Sequence, residues 1–163
     1  YEGYGPGGVA VIVEGLTDNR NRSAAEVRSS FNRYGGSLGE TNSVSFQFSR
    51  LGVIVFPANV ASEEVMFEEA LHAGAQDVVS NEEEHVISCQ TTELNTVQEA
   101  LSKRFGDPLS AQFSWEAINT VPVDLDTARS LLKLLDALED LDDVQKVFSN
   151  EDMDEDVQQA LED

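Results

Sequence analysis

At 163 residues and a formal charge of −21, the chain is long enough for one domain or two small ones, and too acidic over most of its length to grip a phosphate backbone broadly. Its longest apolar runs, such as Val9 to Val13 and Val53 to Phe56, are strand-sized, so no membrane partner is expected, and no basic-then-apolar leader opens the sequence. A soluble, cytoplasmic protein is the expectation, and the single cysteine, Cys89, has neither a disulfide partner nor metal ligands nearby, which reads as a buried structural thiol.

Gly3, Gly5, Gly7 and Gly8 around Pro6 read as a flexible or tightly turned lead-in rather than a helix or strand. A strand follows at Val9 to Val13, apolar enough to be buried on both faces, and Asp18-Asn19 ends it in a turn. Ser23 and Glu26 form an S-x-x-E capping box that predicts a helix start at Ser23, with Ala24, Val27, Phe31 and Tyr34 on its apolar face and Gly35-Gly36 as its stop. Together these pieces are half of a β-α-β unit. Arg20, Arg22 and Arg33 fall near or on the polar side of this helix. The ordinary reading of such a set is a solvated helix face; the functional reading is contact with phosphate.

Ser43 to Phe48 alternates as a half-exposed strand, Leu51-Gly52 reads as a turn, and Val53 to Phe56 as a buried strand ended by Pro57. Ser62 caps a helix over about Glu63 to Ala73, with Met66, Phe67, Ala70 and Leu71 on the apolar arc and Gly74 as its stop. Glu64, Glu68 and His72 share the far side, where a solvated face explains them better than a metal site, which needs three or four convergent ligands. Asp77 to Ser80 and His85 to Gln90 form a hairpin, Leu94 to Phe105 a further amphipathic helix stopped by Gly106, and Ala111 to Glu116 a last strand. In that strand Trp115 reads as a packing residue rather than a stacking platform.

From Gly52 to Asn119 the order is strand, helix, strand, strand, helix, strand, which is the ferredoxin-like split β-α-β pattern. Beyond Pro122 come a leucine-rich helix over about Asp124 to Leu141 and a short strand near Val144 to Phe148. The expected fold is α+β: residues 1–50 and 120–150 form a discontinuous domain into which residues 51–119 are inserted, and the acidic tail 151–163 frays or forms a marginal short helix.

Tyr1 to Gly8 (YEGYGPGG), Thr17 to Arg22 (TDNRNR) and Gly35 to Gly39 (GGSLG) resemble the YebC family, with weaker echoes to about Ser149. Gly15, where many relatives have cysteine, and the strand at Ser45 to Phe48 depart from the family pattern. The resemblance covers the family's second and third domains and implies the same insertion. It also implies that a basic N-terminal domain, absent from this stretch, makes the principal contacts with nucleic acid, whether DNA or ribosomal RNA. Relatives are described as transcriptional regulators that bind promoter DNA, and others as translation factors on the ribosome, so a non-enzymatic regulator of gene expression is expected.

The residues agree on two counts. Phosphate loops, nucleophile elbows and Cys/His clusters are missing from the sequence, so no cofactor and no small-molecule substrate are expected. Arg20, Arg22, Arg28, Arg33 and Arg50 balance Glu2, Glu14, Asp18, Glu26 and Glu40, leaving the whole of the −21 in residues 51–163. Any cationic grip within the chain therefore belongs to the first segment, and Arg20, Arg22 and Arg33 are its candidate nucleic-acid-binding residues.

Overall fold

In the computed structural model, which describes residues 1–162, the glycine-rich lead-in is itself a strand, β1 (Glu2–Tyr4), antiparallel to β2 (Ala10–Gly15). The glycines serve close approach rather than flexibility. A Cβ on Gly3 would stand 2.9 Å from the Phe31 ring, and one on Gly5 would stand 3.1 Å from both Leu131 and Leu134. Bare backbone at these positions lets the helices lie directly on the strand.

The chain divides into two units, residues 1–49 with 117–163, and residues 50–116. In the first, the sheet order is β3-β1-β2-β9, where β3 is Ser37–Leu38 and β9 is Val144–Ser149, with β9 antiparallel to β2. Because β1 is antiparallel to both β2 and β3, those two run parallel and are joined through α1 (Arg20–Arg33). The unit read from sequence as β-α-β is thus a split one, with the overlooked strand between its halves. Val9 to Val13 are all 5 % exposed or less, so this strand is covered on both faces as its unbroken apolar run predicts.

The leucine stripe after Pro122 forms α4 (Leu125–Glu139), N-capped by Asp124. Ala128, Leu131, Leu134 and Leu138 join Val11, Val27 and Phe31 in the core. The stripe is wider than a single sheet face needs, and the excess is covered from the C-terminal side. After Asn150, where the sequence offers only a frayed end or a marginal helix, β10 (Glu151–Asp152) pairs in parallel with β8 (Val121–Pro122), and α5 (Glu155–Glu162) packs on α4. Val157 enters the core, with Met153 and Leu161 packed against it. Three apolar residues spaced by four along an acidic segment suffice to dock it.

The second unit contains β4 (Phe48–Pro57), α2 (Glu63–Ala73), β5 (Asp77–Ser80), β6 (Glu84–Cys89), α3 (Leu94–Phe105) and β7 (Ser110–Ala117). Its sheet order, β5-β6-β4-β7, is that of the ferredoxin-like fold. Two local expectations fail. Leu51-Gly52 is no turn but mid-strand, and Ser45–Gln47 is a 3-10 turn rather than strand. Gly52 is needed because a Cβ there would meet the Cys89 sulfur and Leu94 at 3.0 Å. The core is Ile54, Phe56, Met66, Ala70, Ile87, Cys89, Val97 and Leu101. Burial raises the Cys89 thiol pKa, which keeps it an unreactive packing group.

Candidate nucleic-acid interface

Helix α1 starts three residues before the capping box predicts, at Arg20 rather than Ser23. Asn19 is the N-cap, its side-chain oxygen accepting from the Arg22 N–H at 3.1 Å, while Thr17 Oγ1 accepts from the Asn19 N–H at 3.0 Å. Ser23 therefore falls inside the helix on its inner face, only 3 % exposed, and a buried hydroxyl there requires a partner. That partner is Asp143, in the loop between α4 and β9: Ser23 Oγ donates to its Oδ2 at 2.5 Å.

Arg22 closes the same buckle. Its Nη2 donates to both oxygens of Asp143 at 3.0 Å and to Asp18 at 3.0 Å. Thus Thr17, Arg22 and Ser23 tie the start of α1 to a loop more than 100 residues away. The Ser23 hydroxyl first, and then the Arg22 guanidinium, hold the Asp143 carboxyl below its ordinary range.

Glu2 makes a second clasp. Its carboxylate accepts from the backbone N–H groups of Asn42, Val44 and Ser45 at 2.6, 3.1 and 2.7 Å, pinning the loop that leads into the 3-10 turn. Burial alone would raise its pKa, but the three donors outweigh burial and the net shift is downward. Both carboxylates titrate lower in the folded chain than in the unfolded one. Their stabilisation is therefore complete above the ordinary carboxylate range and is lost as pH falls through the depressed values. Asp143→Asn should melt below the wild type at pH 7, and the gap should narrow as the pH is taken down through acid. A gap that stays constant with pH would contradict the Asp143 buckle.

The three arginines singled out from the sequence part company here. Arg20 is exposed at the first turn of α1, beside a cleft of about 440 Å³ that Ala24, Val27, Leu141 and Val144 also line. A cation at that end opposes the helix dipole, and among the described residues no carboxylate pairs with it to offset the cost. Arg22 is committed to Asp18 and Asp143, and the surface around it is acidic, shared with Glu26, Asp140 and Asp142. Arg33 is exposed in the last turn, its guanidinium carbon 5.4 Å from the Tyr34 ring centroid.

The outward face of α1 belongs to other residues. Opposite the buried Ser23, Val27 and Phe31 lie Ala25, Arg28, Ser29, Asn32 and Arg33, which line one open stretch of surface with no carboxylate among them. Arg28 is exposed and unpaired among the described residues. The asymmetry is electrostatic. The N-terminal half of α1 is hemmed by acids, and the C-terminal half presents two arginines, a serine and an asparagine, donors of the kind that contact phosphate and sugar.

Other polar groups have structural explanations. His85, 2 % exposed, points Nε2 at the Ala61 and Ala58 carbonyls at 2.9 and 3.2 Å, and these oxygens require it to carry the proton. Nδ1 then takes the Ser80 hydroxyl at 2.6 Å. Glu64, Glu68 and His72 lie exposed on α2, and among the described residues no three His, Cys, Asp or Glu side chains converge as metal ligands. No helix of the described residues is long and apolar enough to cross a membrane.

Comparison with known proteins places the chain. It resembles the crystal structure of a conserved hypothetical protein from Aquifex aeolicus, with a TM-score of 0.87 and 48 % sequence identity over 95 % of this chain. The chain spans 64 % of that protein's length. The family model for the TACO1/YebC second and third domain matches residues 1–151, which contain the strand, buckle and helix described above, and the chain belongs to that family.

Proposed function

We propose that this chain is a non-catalytic part of a cytoplasmic regulator of gene expression, and that it meets nucleic acid through the C-terminal half of α1. The observation that carries this reading is the outward surface of Arg28, Ser29, Asn32 and Arg33, a cationic and hydrogen-bonding face on a chain of formal charge −21. Two arginines can neutralise about two phosphates, which supplies a weak contact without sequence preference and positions the protein beside stronger contacts made elsewhere. Arg20 lies on the same helix and can add a third contact. Arg22 holds the fold.

The family's association with transcription favours DNA as the nucleic acid. Its translation factors make ribosomal RNA the alternative, and the phosphate chemistry is common to both. Crosslinking the protein to nucleic acid in cells and sequencing both the DNA and the RNA recovered separates them. Enrichment of a limited set of promoters supports transcriptional regulation; enrichment of ribosomal RNA transfers the same helix face to the ribosome. Recovery of neither above a non-crosslinked control overturns the proposal.

A further inference from the structure

On helix α2 of the ferredoxin-like unit, two large apolar side chains remain outside the core. On α2, Met66 and Ala70 are fully buried, yet Phe67 and Leu71, one turn apart, are 46 % and 42 % exposed. Phe67 overhangs a depression of about 340 Å³ floored by Val78 and Ser80 of β5, and a second, of about 480 Å³, continues past Leu71. The first depression lies between α2 and β5, and the second extends it along α2. Strand β5 is the last of its sheet, hydrogen-bonded to β6 on one side only. The Val78 N–H closes on the Asp77 side chain at 2.8 Å instead of on a neighbouring strand.

We propose that this groove docks an extended, lysine- or arginine-rich segment of a protein partner, which adds to β5 as a fifth strand. An apolar groove beside an open strand edge is the geometry of strand addition: main-chain hydrogen bonds go to the edge, and alternate side chains enter the groove. Phe67, Leu71 and Val78 would receive the apolar ones. The charge of the partner follows from the acids beside the groove: Glu63 and Glu64 line the first depression, Glu68 lines the second with His72, and Asp77 precedes Val78 on the strand edge. A cation facing Asp77 competes for its carboxylate and releases the Val78 N–H for the incoming strand. The same rim repels a phosphate backbone, and a second copy of this chain would bring an identical acidic rim against it. Four residues of edge make the contact short and its affinity modest.

The test uses a short peptide alternating lysine with valine, titrated against the 163-residue chain and followed by fluorescence anisotropy. Three further reagents accompany it: a glutamate-valine peptide, a lysine-valine peptide N-methylated at alternate residues so that it cannot donate to a strand edge, and the Phe67→Ser, Leu71→Ser double variant. Both substituted side chains are already exposed, and an unchanged thermal melt verifies the fold. The lysine-valine peptide should bind and the glutamate-valine peptide should not. The double variant and the N-methylated peptide should each weaken binding by about tenfold or more. Failure of the lysine-valine peptide to bind, binding that survives the double variant, or equal binding by the N-methylated peptide overturns the proposal.

Discussion

Replacing Asn150 by alanine should destabilise the protein by about 3 kcal/mol and lower its melting temperature by about 10 °C. Asn150 is 1 % exposed and sits where the first unit's chain segments converge. Its Oδ1 accepts from the Ala10 N–H at 2.7 Å, and its Nδ2 donates to the Asn119 carbonyl at 3.0 Å and to Gln47 Oε1 at 3.1 Å. Its backbone joins too, donating to the Ala10 carbonyl and accepting from the Val121 N–H. Gln47 and Asn119 lie close to the ends of the two stems that lead to and from residues 50–116, so one amide ties both stems to β2. Alanine leaves the Ala10 N–H buried without a partner, which alone costs about 1–3 kcal/mol. Asn150→Asp is the sharper control, since it keeps an acceptor for Ala10 while replacing both donors with a buried negative charge. At neutral pH it should be at least as damaging as alanine. Melts within a degree or two of wild type for both variants would remove Asn150 from this role.

Gly36→Ala should cost about 3 kcal/mol, whereas Gly8→Ala should cost about 1 kcal/mol, and the two differ for separate physical reasons. At Gly36 an added Cβ would stand 2.5 Å from the Tyr4 carbonyl oxygen and 3.2 Å from the Phe31 ring, so backbone must move. At Gly8 nothing lies within 4 Å, and the cost is only that of a side chain at a φ of +78°. Equilibrium unfolding in urea of both variants measures the difference. Equal costs at the two positions would mean that the close approach of Gly36 to Tyr4 and Phe31 is relieved at little cost, against this account.

The elements with strong local punctuation were legible. Helix α2 ends where Ser62 and Gly74 place its termini, and α3 runs from Leu94 to Phe105 as its apolar spacing requires. The strand-helix order of residues 52–119 gave the ferredoxin-like arrangement because that order leaves few sheet topologies open. What remained hidden depends on distant partners. Ser23 looks like a cap until Asp143 makes it a buried donor, and Gly3 looks like a turn residue until Phe31 lies against it. The docking of the acidic segment on α4 was similarly obscured, because Val157 and Leu161 are sparse among carboxylates and find their cover only in the folded unit. Of the candidate site, sequence pointed to α1 and to its arginines. It could not separate Arg22, whose counter-charge comes from Asp143, from Arg28 and Arg33, whose counter-charge does not come from the described residues.

The separation of those arginines is tested most directly by the salt dependence of binding. Duplex DNA and RNA should bind the wild-type chain with dissociation constants of roughly 10–100 μM at physiological salt, without sequence preference. Arg28→Ala with Arg33→Ala should weaken binding further and reduce the slope of log affinity against log salt by about two units, while leaving the melting temperature nearly unchanged. Arg22→Ala should do the reverse, lowering the melting temperature and leaving the slope of the folded protein intact. A slope that falls for Arg22→Ala and stays unchanged for the double variant would contradict the account.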